Sequence, residues 1–209
     1  MKLYDFALAP NPRRVRIYLA EKGIEVAKEQ VNLREQDQLK PEFLAINPFA
    51  TVPVLELDDG RHIAETIAIC RYFEDIHPAP PLFGRDAYEK ATVEEWQRHI
   101  ENEGFLAVGE AFRNGMAGFK GRALTGQYGY EQIPDLVERG TQRAMRLFGL
   151  LDRRLAKQEY VAGANYTVAD ITALVAHDFG VRAKVLATED MPNLRRWYGA
   201  VSTRPSASA

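Results

Sequence analysis

Short runs of alternating apolar and polar residues occupy the first third of the chain, and a helical period replaces them in the rest. Residues 2–6 form a strand-like run containing Leu3, Tyr4 and Phe6, which Ala9-Pro10-Asn11-Pro12 breaks. Residues 13–22 predict a helix that stops at Gly23, the residue best able to take a left-handed cap. Pro12 suits the first helical position, where no intrahelical N–H is needed. Residues 26–33 predict a second strand and residues 41–44 a short helix. Residues 53–57 and 61–63 predict the arms of a hairpin around Asp58-Asp59-Gly60. Ile69, Tyr72, Phe73 and Ile76 recur at helical spacing within residues 65–77. The order β-α-β-α-β-β-α over residues 1–77 suits a small α/β domain with a mixed sheet.

His77-Pro78-Ala79-Pro80-Pro81-Leu82-Phe83-Gly84 cannot continue a helix, so residues 78–86 are read as a linker. Beyond it the strand signal disappears. Residues 87–112 predict one long helix. Ile133, Leu136, Val137, Gly140, Ala144, Leu147, Phe148, Leu151 and Leu155 mark a second along a clear apolar stripe. Residues 167–179 and 193–201 predict two more. Five glycines in residues 113–131 predict a mobile connection. The chain is thus expected to hold an α/β domain over residues 1–77 and an all-helical domain over residues 87–209.

Composition narrows the function classes. With 27 Lys and Arg against 29 Asp and Glu the formal charge is −2, so no overall positive field recruits nucleic acid or an anionic membrane. A single cysteine, Cys70, excludes an internal disulfide and any CxxC metal or redox motif. Its place between Ile69 and Arg71 in a predicted helix reads as a small buried apolar residue. His62, His77, His99 and His177 lack metal-ligand spacing, so no metal is expected. No signal-like leader or 18-residue apolar run is seen, and the expected location is cytoplasmic.

Four patterns then fall in order along the chain. They are Ala9-Pro10-Asn11-Pro12-Arg13-Arg14-Val15, Asn47-Pro48-Phe49-Ala50-Thr51-Val52-Pro53-Val54-Leu55, Ala64-Glu65-Thr66-Ile67-Ala68-Ile69 and Gly163-Ala164-Asn165-Tyr166-Thr167-Val168-Ala169-Asp170. Together they resemble the cytosolic glutathione transferase superfamily over nearly the whole chain. The Ala-Pro-Asn-x-x-Arg-Val stretch is similar to bacterial nu-class members with an active-site Asn. The resemblance implies an N-terminal thioredoxin-like, glutathione-binding domain and a C-terminal helical-bundle domain.

It also implies site residues, each with a plainer reading beside it. Val52-Pro53 resembles the family's cis-proline turn, which would present the Val52 backbone to the tripeptide; the alternative is a trans proline opening a strand. Glu65 and Thr66 would hold the γ-glutamyl end, or simply begin a helix with an acidic first turn. Gln38 and Lys40 match a segment near the glycyl end, or are solvated polar residues. Thr167 and Asp170 form a capping box and are assigned to folding. The family's usual Ser position falls at Ala9 and its usual Tyr position near Asp5, so both hydroxyls are missing. By resemblance Asn11 stabilises the glutathione thiolate, supported by Arg13 or Arg14, although Asn is also a good helix N-cap.

The implied activity is conjugation of glutathione, as cosubstrate, to a small hydrophobic electrophile, or reduction of a peroxide or disulfide, in a detoxifying homodimer. A non-catalytic interaction or ligand-binding protein of the same fold is the alternative. Phe105 and Phe112 are candidates to line the second substrate's pocket or to be core.

Overall fold

The computed structural model describes residues 1–209, and its contacts divide the chain into two units. The first comprises Met1–Pro80, Thr125–Tyr128 and Ala209; the second comprises Pro81–Leu124 and Gly129–Ser208. The expected linker 78–86 is therefore split after Pro80, and the expected helical domain 87–209 lends a short segment to the first unit.

In the first unit β1 (Lys2–Asp5) pairs parallel with β2 (Ala27–Gln30) and antiparallel with β3 (Val54–Glu56). β3 pairs antiparallel with β4 (His62–Ala64), giving the order β2-β1-β3-β4. α1 (Pro10–Lys22) makes the crossover that the parallel pair requires, α2 (Pro41–Leu44) precedes β3, and α3 (Thr66–Ile76) follows β4. Strand alternation puts Tyr4 on the face with Val31, Phe43, Val52 and Val54. α1 packs on α3, burying Val15, Ile17 and Leu19 on one helix and Ile69, Cys70 and Phe73 on the other.

α1 begins three residues before the expected residue 13. Pro10 and Pro12 have no N–H to satisfy, so both fit a first turn, and Pro12 takes its third position rather than its first. Gly23 caps the other end at φ 66°, as expected. Lys22, beside it, was not foreseen. Its side chain is fully buried; Nζ donates to the His77 oxygen at 2.8 Å and the Pro80 oxygen at 2.6 Å, and pairs with Glu74 Oε2 at 2.6 Å. Three acceptors satisfy three ammonium donors and tie the end of α1 to the chain leaving α3.

In the second unit α4 (Ala87–His99) passes through a π-helical turn, Ile100–Phe105, into α5 (Leu106–Gly115). The expected single helix over residues 87–112 is therefore interrupted by one wide turn. α6 (Asp135–Leu155) lies against α5 so closely that a Cβ at Gly140 would stand 2.6 Å from the Ala107 oxygen. The glycine-rich connection is also more ordered than its composition predicts. The Arg113 guanidinium donates to the oxygens of Arg122, Ala123 and Leu124, and lies 4.5 Å from the Phe119 ring. Gln132 donates to the Arg113 and Met116 oxygens, and Asn114 Oδ1 accepts from Ile133 N–H. No helix is long and apolar enough to cross a membrane.

α7 (Val168–Arg182) is buried from Val168 to His177, and α8 (Pro192–Ser202) places Trp197 against its start. The capping box forms: Thr167 N–H donates to Asp170 Oδ2 at 3.0 Å. Asp170 Oδ1 accepts from Trp197 Nε1 at 2.8 Å and from Val161 N–H at 2.9 Å. Burial nonetheless pushes this carboxyl up to about 6 from 3.8, against the opposing pull of its donors.

Asp170→Ala leaves four buried donors, the N–H groups of Val161 and Thr167, the Thr167 hydroxyl and Trp197 Nε1–H, without their acceptor and should cost about 3–5 kcal/mol in urea unfolding. The raised folded-state pKa gives Asp170 a contribution that is full below about pH 3.8 and lost as pH rises through about 6. Wild-type stability measured relative to Asp170→Asn should therefore fall between pH 4 and pH 7.

Candidate functional site

The N-terminus of α1 is built without a side-chain cap, because the N-cap residue is Ala9. Pro10 and Pro12 lack N–H groups, and the Arg13 N–H is already bonded to the Ala9 oxygen at 3.3 Å. The Asn11 N–H is thus the one backbone donor left at this helix start. The Asn11 side chain does not cap the helix. Its Oδ1 accepts from the Arg14 guanidinium at 2.8 Å, and its Nδ2 donates to no protein group. Two donors of one residue therefore stand together at the positive end of a helix dipole. Arg14 is only 5% exposed, while Arg13 is half-buried.

The turn leading into α1 is held by a buried network. Arg16 Nη1 pairs with Asp5 Oδ1 at 2.5 Å, and Arg16 Nη2 donates to the Ala7 oxygen at 3.0 Å. Gln30 donates to Asp5 Oδ2 at 2.9 Å and accepts from the Ala7 N–H at 3.0 Å. Asp5 is thereby committed to structure. The Tyr4 hydroxyl is committed as well, donating to Glu56 Oε2 at 2.7 Å. Burial raises the Tyr4 pKa, which disfavours its phenolate.

Thr66 opens α3 directly beside this start. Its Oγ1 donates to the Asn11 oxygen at 3.4 Å, a long bond. The first intrahelical bond of α3 runs from Ile69 N–H to the Glu65 oxygen, so the N–H groups of Thr66, Ile67 and Ala68 precede the ladder. Glu65, the N-cap residue, gives no side-chain cap and sits at φ 72°. Backbone of that sign costs a residue with a β-carbon about 1–3 kcal/mol and is retained where the surroundings enforce it.

The Val52–Pro53 peptide bond is cis. The ladder between β1 and β3 ends at Tyr4 and Val54, and the Val52 N–H and C=O enter no ladder pair or turn bond. An extended chain lying alongside could use both groups.

Gln38 and Lys40 lie on or after the 3₁₀ turn Asp37–Leu39. Lys40 Nζ pairs with Asp37 Oδ1 at 2.6 Å, which raises the lysine pKa and lowers that of the aspartate. The Gln38 side-chain oxygen is buried without a hydrogen-bond partner. No hydrogen bond or ion pair links either residue to Asn11, Val52 or Thr66. Thr167 and Asp170 belong to the second unit, in the capping box. Cys70 is buried in α3, and no group of three or more metal-ligating side chains occurs.

The sequence reading missed the Arg16–Asp5–Gln30 network and the Arg14–Asn11 bond. Only the three-residue spacing of Asn11 and Arg14 on one helix could have signalled the second.

Comparison with known proteins agrees with this architecture. The family model "Glutathione S-transferase, N-terminal domain" matches residues 9–76, and "Glutathione S-transferase, C-terminal domain" matches residues 99–205. Glutathione S-transferase 2 of Saccharomyces cerevisiae is 35% identical over 99% of this chain and 87% of its own length. Glutathione S-transferase D7 of Drosophila melanogaster is 33% identical over 94% of this chain and 82% of its own. The crystal structure of a glutathione S-transferase domain-containing protein from Marinobacter aquaeolei VT8 superposes with a TM-score of 0.92 at 36% identity, covering 99% of each chain. The first unit is accordingly a thioredoxin-like domain and the second an all-helical one. With family models matching both halves and relatives above 30% identity along most of its length, the chain belongs to the glutathione S-transferase family.

Proposed function

We propose that this protein binds glutathione on its first unit and holds the thiol as thiolate for use on a small hydrophobic electrophile, a peroxide or a disulfide. The observation that carries the reading is the pair of open donors on Asn11, at a helix start where neither Ser nor Tyr offers a hydroxyl. A thiol near pKa 8.5 is only a few per cent thiolate at neutral pH. The Asn11 amide and the helix dipole favour the charged form, as the active-site Asn does in nu-class relatives.

The other groups account for the rest of the tripeptide. The Val52 backbone pairs with the cysteinyl residue by strand addition. The open amides of α3 take the γ-glutamyl carboxylate, and the Thr66 hydroxyl can exchange its long bond for one of the carboxylate oxygens. Glu65, exposed beside them, takes the ammonium. Gln38 and Lys40 serve the glycyl end, with the lysine charge shared by Asp37. Arg13 adds positive potential, and Arg14 supports the site through its bond to Asn11. This reading places the protein in the cytoplasm as a homodimer in a detoxifying role. The absence of a catalytic hydroxyl favours a second reading, a non-catalytic interaction or ligand-binding protein of the transferase fold.

Glutathione at a hundred times its dissociation constant should stabilise the fold by about 2.7 kcal/mol, or roughly 5–10 °C in a thermal melt. Thr66→Ala should shift the required concentration upward. No change in melting at millimolar glutathione sinks both the binding and the chemistry.

Asn11→Ala should lower turnover at neutral pH about tenfold while KM for glutathione changes little, the mark of a lost thiolate donor. Ultraviolet titration of the bound thiol should move to higher pH in step. Full turnover in a protein that binds glutathione favours another source of thiolate stabilisation.

Light scattering at micromolar concentration should give twice the 23.6 kDa chain mass. A 23.6 kDa species refutes the dimer.

A further inference from the structure

An asparagine amide has two ends of nearly the same size and opposite polarity. Nδ2 facing a sulfur donates to a thiolate, whereas Oδ1 facing it repels a thiolate and accepts from the thiol. A flip of the amide thus reverses the effect of Asn11 on the acid strength of its neighbour. The Asn11 main chain is fixed by its neighbours. Pro10 and Pro12 flank it on either side within the first turn of α1. The remaining freedom is rotation of the amide itself.

Arg14, three residues along the same helix, meets the oxygen end at 2.8 Å. A guanidinium has five donors and no acceptor, so it can bind only Oδ1. Turning the amide over would set its NH₂ hydrogens against a buried cation and lose a charge-assisted bond. We propose that Arg14 is a positioning residue for the thiol, selecting the amide orientation in which Nδ2 faces the sulfur. The inference rests on the thiolate-donor reading of Asn11. A cation on the amide oxygen also withdraws electrons from Nδ2–H and strengthens it as a donor. Arg14 touches neither glutathione nor the reacting sulfur on this account; it works through Asn11.

This differs from a direct field effect, in which the charge of Arg14 would stabilise the thiolate whether or not Asn11 is present. The two are separated by the full-length protein carrying Asn11→Ala, Arg14→Met, Arg14→Lys and the double change Asn11→Ala with Arg14→Met. The readouts are the ultraviolet titration of bound glutathione, kcat and KM for glutathione, and a thermal melt of each variant. Arg14→Met should raise the bound thiol pKa by about one unit, with a tenfold loss of kcat at neutral pH. KM for glutathione should stay within about twofold, because Val52, Glu65 and Thr66 are untouched. Arg14→Lys, which keeps a donor but not the fork, should recover part of the shift. In the Asn11→Ala background Arg14→Met should add nothing further.

An Arg14→Met titration that matches wild type overturns the proposal. So does an equal shift with and without Asn11, which identifies a field acting directly. If Arg14→Met melts too low to assay, Arg14→Lys decides: a wild-type thiol pKa in that variant with turnover unchanged also overturns the orienting role of the guanidinium. If Asn11→Ala itself leaves the titration unmoved, the donor reading of Asn11 has failed, whereas a shift in Asn11→Ala alone sinks only the role given to Arg14.

Discussion

Arg16 and Asp5 meet inside the first unit, where Asp5 is 1% and Arg16 8% exposed, and the geometry of the site follows from their pairing. Both charges are removed from water, so the pair persists only with close geometry and further bonds on the remaining polar atoms. Gln30 and the Ala7 backbone supply those bonds. The effect is to clamp the turn between β1 and α1 from the strand, the helix and the neighbouring strand together. Removing either charge would strand the other in the interior, at about 3–5 kcal/mol. The same pairing also explains where chemistry is not found. Asp5 is saturated, Tyr4 is bonded on the opposite face and Ala9 offers a methyl group, so the open polar groups at this turn belong to the first residues of α1.

Much of the architecture could be read from the sequence because each signal had one physical meaning. The strand-like run at Leu3, Tyr4 and Phe6, the stop at Gly23, the hairpin at Asp58-Asp59-Gly60 and the stripe through Leu147, Phe148 and Leu151 depend on local geometry alone. What stayed illegible depends on tertiary placement. A lysine beside a helix-ending glycine usually faces solvent, and nothing in the sequence announces that Lys22 is fully buried among carbonyl oxygens. The π-helical turn is equally silent, since six residues cannot separate a period of 3.6 from a slightly wider one. At Asn11 the sequence left capping and thiol chemistry open together. The first is removed by Ala9 being the cap residue, which requires the helix start to be known, and by Arg14 occupying the amide oxygen, which requires a rotamer.

Two helix starts, those of α1 and α3, come together through the Thr66–Asn11 bond. Each directs its unsatisfied N–H groups and dipole outward, so negative charge is favoured there before any side chain is counted. Glu65 holds its strained backbone at the same place and contributes the opposite sign. A surface of this kind is dipolar at short range, positive along the helix ends and negative at one edge. On the proposed reading its complement is a ligand carrying both charges a few ångströms apart. A simple anion fits only part of it.

The grip of Arg113 on the oxygens of residues 122–124 has a consequence for how this stretch can vary. A guanidinium that reads main-chain carbonyls is blind to the side chains they carry. The exposed Leu124 can therefore drift in identity with the clamp intact, whereas one inserted or deleted residue would move the carbonyls out of register and release it. The segment tolerates spelling changes but not changes of length, the opposite of what its glycine content suggests.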